Sequence, residues 1–317
     1  MEMIHVRAVS PPDLTGRVVD LLSGDPSVLN LIVQSGAVRH PDGDSLACDV
    51  LTGAANDVLR ALRALQLDKR GSIVIEPVDM AFVGGDAGTR AGGQGALTHA
   101  PVWEQVEARI RAEGTYAPSF YLYLVVAGLI GAVGIVTNSQ ILIVAAMVVG
   151  PEYGAIVSIA LGIDRGNRSR VRQGLRALLL GFLLAIVVTL LFSLLIRWCG
   201  FESTAFSLGV RPVSQLIDSP DFFSFAVAGL AGVVGIVSLT EARTSALLGV
   251  FISVTTIPAA ADIAVSVAFT SWSEAWGSFV QLVVNIVVLI VVGTGTLRCQ
   301  REIWRRVGAR RARAVRR

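Results

Sequence analysis

Two patterns of hydrophobic and polar positions follow one another along the chain. In the first, apolar residues come in short blocks with strand-like or helix-like periods. Met3-Ile4-His5-Val6-Arg7-Ala8-Val9 reads as a strand, and Pro11–Leu22, with Asp13 in its first turn, as a helix. Ser27–Val38, holding VLNLIV, reads as a second strand. The PDGD run at Pro41–Asp44 is a turn signal, and Ser45–Val50 a third strand. Ala54–Leu67 places Val58, Leu59, Leu62 and Leu65 on one helical stripe, and Gly71–Val78 closes the set as a strand. The predicted order is βαββαβ, an α+β ferredoxin-like soluble domain over residues 1–82.

The second pattern is long and apolar. A bilayer crossing needs about 20 apolar helical residues. Uncharged gaps run from Glu113 to Glu152, Arg176 to Arg197, Asp221 to Glu241, Arg243 to Asp262 and Glu274 to Arg298. They predict an all-α polytopic membrane domain of six helices, at 119–137, 140–163, 177–197, 222–239, 244–269 and 276–297. Between the two regimes lie a Gly-rich linker (83–100) and an amphipathic helix from Pro101 to Glu113, with Val102, Trp103, Val106 and Ile110 on one side. An Arg-rich tail follows at 298–317.

Composition agrees. The chain is 53% hydrophobic and only 16% charged, against about 25% charged in soluble domains. That excludes a soluble globular enzyme, a disordered chain and a nucleic-acid binder with a basic core. The charges set an orientation. Arg165, Arg168, Arg170, Arg172 and Arg176 follow the second helix, and nine arginines fill the tail. With six helices these and both termini share one side, predicted to be the cytoplasmic face of a bacterial inner membrane. The tail is expected to meet anionic lipid rather than nucleic acid. Trp272, Trp276, Tyr121 and Tyr123 suit interfacial anchors. Cys48, Cys199 and Cys299 are scattered, as are the three histidines, so no metal site, disulfide framework or cofactor is expected.

An internal match adds to this. AGLIGAVGIVT at 127–137 and AGLAGVVGIVS at 228–238 share eight of eleven positions. Gly150-Pro151 in the second helix finds a weaker counterpart in Ile257-Pro258 in the fifth. A duplicated three-helix unit gives a 3+3 inverted repeat, a construction of secondary transporters with a midplane site at interrupted helices. Gly128, Gly131 and Gly134, and Gly229, Gly232 and Gly235, also suit close helix packing.

The candidate site centres on Gly150, Pro151 and Glu152. Proline removes a backbone donor, and a carboxylate this deep in a membrane segment points to function. Thr255, Thr256 and Pro258 form the second break, the threonines expected to satisfy backbone groups that Pro258 frees. Asp262 is placed nearer the outer edge, where water is as plausible a neighbour as a ligand. Asn285, one turn from Gln281, needs a buried partner. The expected function is a transporter or permease of a small solute or ion, regulated by its cytosolic domain, with a homo-oligomer as a compatible assembly. The rival is a non-transporting membrane receptor or scaffold. No nucleophile–base pair or metal cluster marks an enzyme.

Several of these residues resemble a known family. The run GIVTNSQILIVAAMVVGPEYG, the Ser139–Glu152 stretch above all, the Arg-rich loop after it, and the strands holding His5-Val6-Arg7 and Cys48-Asp49-Val50 resemble the bacterial membrane family known as domain of unknown function 389. The resemblance implies a multipass inner-membrane protein. It assigns no activity.

Overall fold

The computed structural model describes residues 3–78, 101–114, 116–203, 206, 214, 217, 222–240 and 256–315. The chain divides into two compact units: Met1–Val106 with Ile303–Arg317, and Glu107–Glu302. The Gly-rich segment 83–100 lies outside the described residues.

The N-terminal unit is a four-stranded antiparallel sheet with helices. Its elements are β1 (Met3–Ser10), α1 (Pro12–Ser23), β2 (Val28–Arg39), β3 (Asp42–Leu51), α2 (Thr52–Ala64), α3 (Leu67–Arg70) and β4 (Ser72–Val78). The strand order is β2-β3-β1-β4. Val6 of β1 stands opposite Cys48 on one side and Ile75 on the other. One sheet face buries Ile4, Val6, Ala8, Leu46, Cys48 and Val50 against the helices, which contribute Val18, Leu22, Val58, Leu59 and Leu62. Period-2 and period-3.6 apolar faces thus meet in one core, as the sequence pattern requires.

Two local readings change. The turn between β2 and β3 is His40-Pro41 alone, since Arg39 already pairs with Asp42. The PDGD acids therefore belong to the strand, where Asp44 accepts bonds from the Thr15 hydroxyl (2.6 Å) and the Gly36 N–H (2.7 Å). The helix expected over 54–67 ends at Ala64. Gln66 takes a left-handed conformation (φ 57°), and a one-turn helix then delivers Leu67 into the core.

Helix α4 (Trp103–Glu113) follows. Its start is held by Asn56, which donates to the Pro101 carbonyl (3.0 Å) and accepts from the Trp103 N–H (3.1 Å). Val102 joins the N-terminal core.

The second unit is mostly helical. It contains α5 (Pro118–Val136), α6 (Gln140–Val149), α7 (Glu152–Asp164), α8 (Arg168–Cys199), α9 (Phe222–Thr240), α10 (Ile257–Ala268) and α11 (Trp272–Val315). α5, α8 and α11 are long and apolar enough to cross a membrane, and the bent pair α6–α7 makes a fourth span if counted as one. Long apolar side chains face outward along α8, among them Leu179, Leu180, Leu183, Val187, Leu191 and Leu195. A face like this suits lipid, not water.

Each of the six expected segments contains a helix, but six full spans are not what the described residues form. The second segment is bent by 52° between Val149 and Glu152. The fourth gives a shorter apolar helix, Ser224–Thr240, and the fifth only Ile257–Ala268, its first half (244–255) lying outside the described residues. Two other helices are longer than expected. α8 begins at Arg168, its first turn held by the Asn167 side chain, which accepts from the Arg170 N–H (3.1 Å). α11 runs on to Val315. Outside the hydrocarbon a charge does not end a helix, and arginine is a good helix former.

Candidate functional site

The centre of the second unit is built from its two shortest proline-started helices. α7 has an almost continuous buried surface from Gly154 to Gly162, and α10 is buried from Ile257 to Ser266. Helices apolar all round belong inside a bundle. α10 packs against α5, α6 and α8. Each of the two starts at a proline, Pro151 as the cap of α7 and Pro258 in the first turn of α10. Proline suits this place because a first-turn N–H has no helical partner to lose.

The two starts meet. Thr256 is fully buried, and its hydroxyl donates to Glu152 Oε1 at 2.7 Å, joining positions 104 residues apart. Glu152 is itself 0% exposed. A Cβ on Gly150 would come within 2.9 Å of Ile257 Cγ1 and 2.5 Å of Glu152 Oε2. Gly150 has an ordinary extended backbone (φ −61°, ψ 124°). Glycine is needed here for the close approach of the second break, rather than for an unusual φ.

The threonine role is revised. Thr256 caps no N–H of its own helix with its side chain; the hydroxyl turns to Glu152 instead. Thr255 lies outside the described residues. Pro258 is fully within the buried run. The α7 end is tied further by Tyr153, whose hydroxyl donates to the Gly235 carbonyl of α9 (2.9 Å).

Asp262 is a second buried carboxyl, at 0% exposure. Of the two neighbours expected for Asp262, water or a ligand, the solvated alternative is the one the burial of α10 disfavours. Asp262 Oδ1 accepts from the Ser214 hydroxyl (2.5 Å), and Oδ2 from Ser278 (2.7 Å) and Ser266 (3.4 Å). Three hydroxyls thus converge on one carboxyl, Ser266 from its own helix and Ser214 and Ser278 from elsewhere in the chain. Asn285 is also 0% exposed on α11, and Gln281 nearly so.

Sequence reasoning misses Ser214, Ser266 and Ser278, since isolated serines in apolar helices carry no pattern. It also misses an ionic cluster. Glu107 pairs with Arg165, with Arg301 (3.1 Å) and with Arg111 (3.5 Å), while Asp164 pairs with Arg301 and with Arg298 (3.4 Å). Arg165, Arg298 and Arg301, read from sequence as loop and tail charges, therefore have carboxylate partners within the protein.

The glycines of the internal match do pack closely in α5, where a Cβ on Gly131 would stand 2.8 Å from Ala261 Cβ of α10, and one on Gly128 2.6 Å from Thr189 Oγ1 of α8. In α9, Gly232 stands less tightly against Val292 (3.3 Å), and Gly229 faces open space. The two matching stretches are used differently. Between α7, α9 and α11 a void of about 10 Å³, lined by Ile156, Ala160, Ile236 and Leu289 among others, is too small and apolar for water.

Among the described residues, no group of three His, Cys, Asp or Glu could hold a metal ion. The profile of the family described as "Domain of unknown function (DUF389)" matches residues 147–291, a stretch that starts just before the Gly150 break and runs past Asn285. No curated protein and no solved structure matches the chain.

Proposed function

We propose that this chain is a transporter or permease for a small solute or ion, with the coupling site at the meeting of the two proline-started helices. The observation that carries the reading is the contact of Glu152 with Thr256, between two short buried helices that each hold a carboxyl. An ionised carboxyl deep in an apolar bundle is costly. It persists with a proton on it or with a cation against it, and exchange between those states is the chemistry of coupling. The N-terminal ends of α7 and α10 both point toward this place, and helix N-termini carry partial positive charge. Discontinuous helices of this kind frame the sites of many secondary transporters.

The same proposal takes the six segments as a 3+3 inverted repeat in a bacterial inner membrane. Both termini are then cytoplasmic, and the N-terminal sheet domain regulates the bundle. The short, Pro-started α10 supports six segments, as does the matched glycine stretch in α5 and α9. The tail beyond Arg301 would meet anionic lipid. Homo-oligomers would fit this reading, and it requires no cofactor or enzymatic step.

The test is flux through proteoliposomes of the full chain, loaded with a pH-sensitive dye and challenged in turn with Na⁺ and K⁺ gradients. Glu152→Gln keeps the shape and removes the charge. Loss of cation-driven proton movement in that variant, with unchanged elution and helix content, is the expected outcome. Equal flux in both proteins would overturn the role of Glu152. A second reading, a non-transporting receptor or scaffold, is favoured by the closed packing around Glu152. It predicts no flux above empty vesicles in either protein.

A further inference from the structure

A cavity of about 460 Å³ lies on the outer flank of the α7–α8 corner, at the opposite end of α7 from Glu152. Its floor is the turn from Gly162 to Gly166, and its wall is the first three turns of α8. The corner is tight: a Cβ on Gly162 would stand 2.9 Å from Val171 Cγ2. Two rows of side chains with a four-residue spacing run side by side along the wall. One is Arg168, Arg172 and Arg176. The other is Val171, Leu175 and Leu179. Positions four apart on a helix share a face, so each row is a stripe.

The two rows differ in what they lack. Leu175 is 47% exposed and Leu179 70% exposed, which leaves an apolar stripe open to its surroundings. Arg168, Arg172 and Arg176 form no ion pair with any described residue, whereas Arg165, just before them, is paired with Glu107. Asp164, the nearest acid in sequence, is engaged by Arg301 and Arg298. The cations at this groove therefore have no internal counter-charge among the described residues.

Depth fixes the chemistry of what fills it. Arg176 is the last charge before the uncharged run that ends at Arg197. That puts Arg176 at the edge of the hydrocarbon. Arg168 stands about 12 Å further out along the helix, at roughly 1.5 Å per residue. Leu179 lies on the hydrocarbon side, and exposed Leu183 continues the apolar surface inward. The groove thus changes from cationic to apolar across the same few ångströms in which a phospholipid changes from phosphate to acyl chain. A soluble phosphate would use the arginines and leave the leucine stripe bare.

We infer that this groove is a binding site for an anionic glycerophospholipid. Its phosphate sits among Arg168, Arg172 and Arg176, and its acyl chain lies along Leu175 and Leu179. Basic pockets beside membrane helices bind such headgroups, and arginine's planar fork suits phosphate oxygens. The lining of the groove includes no tail arginine, and the inference does not depend on the transport reading.

Native mass spectrometry of the full chain in mild detergent tests this, titrated with phosphatidylglycerol and with phosphatidylcholine of the same acyl chains. The wild type is expected to retain a phosphatidylglycerol adduct. The triple variant R168Q/R172Q/R176Q should weaken that adduct by about a hundredfold, since each arginine beside an anionic surface contributes roughly fivefold. The tail variant R305Q/R306Q should leave it within about threefold. A triple Arg→Lys variant keeps the charge and the helix, and should retain most of the binding. Equal loss in the tail and groove variants would overturn the site. So would equal retention of phosphatidylcholine, or displacement of the lipid by an equal concentration of glycerol 3-phosphate.

Discussion

Removing the carboxyl of Asp262 should release a buried polar knot in the bundle, and a double-mutant cycle with Ser278 measures how strong it is. The Ser278 hydroxyl is 2.7 Å from Oδ2, and both groups are 0% exposed. A hydrogen bond to a charged group contributes about 1.5–3 kcal/mol in soluble proteins. Interhelical pairs in membrane proteins average only about 0.6 kcal/mol, with a maximum near 1.7. Full burial of both partners places this pair toward the upper end, at about 1–1.7 kcal/mol of coupling. Asp262→Ala also strips Ser214 of its acceptor, so the single variant should cost about 2–4 kcal/mol in total. The assay is reversible unfolding in mixed micelles by increasing sodium dodecyl sulfate, followed by tryptophan fluorescence. The double variant should be more stable than the sum of the singles predicts, by the coupling energy. Ser266, at 3.4 Å from the same oxygen, serves as the internal control and should couple by less than about 0.5 kcal/mol. Additivity of Asp262→Ala and Ser278→Ala within that margin would refute the knot. Equal coupling for Ser266 and Ser278 would refute the distance argument.

Two further outcomes concern other parts of the chain. Burial holds the Cys48 thiol up at about 11, whereas Cys199 and Cys299 are exposed, so a maleimide at pH 7 should label two thiols in the folded protein and three in denaturant; in intact spheroplasts a membrane-impermeant reagent should reach Cys199 and spare Cys299 if the arginines face the cytoplasm. The Thr15 hydroxyl and, after it, the Gly36 N–H hold Asp44 below its ordinary 3.8. A depressed carboxyl contributes stability that is whole above the unfolded value and is lost as pH falls through the folded one. Acid unfolding of the sheet domain, read by circular dichroism in steps of about half a pH unit from roughly pH 5 to roughly pH 2, should therefore begin at higher pH in Thr15→Val than in the wild type, and an unshifted profile would remove Asp44 from the account.

The sheet domain is legible in sequence because its residues obey one period at a time. Alternation in β1 and β3, and the Val58-Leu59-Leu62 stripe in α2, each name a buried face without reference to any distant contact. The extra turn at Leu67 is hidden, because a single left-handed residue at Gln66 leaves no trace in a hydrophobic pattern. In the membrane unit, scarcity of charge singles out Glu152 and Asp262, both of which are buried. It cannot say what they touch. Thr256 and Glu152 are 104 residues apart, and nothing local to either encodes their pairing. Sequence leaves Asp262 open between a solvated and a functional place for a related reason. Position within a helix gives depth along the membrane, while burial depends on what packs around the helix. The arginines that open α8 read as loop only while charge is treated as a helix boundary, which holds only inside the hydrocarbon.

The place of Asp262 on α10 bears on how the protein is made. Its helix packs against α5, α6 and α8. Asp262 stands at the middle of this helix, and a carboxyl exposed to lipid is costly. The Ser278 hydroxyl that meets Asp262 lies 16 residues later, on α11. Ribosomal synthesis therefore delivers the acid before one of its partners, while α5 and α8, which pack against α10, have already been made. The packing around Asp262 is in that sense completed only after the start of α11 has left the ribosome.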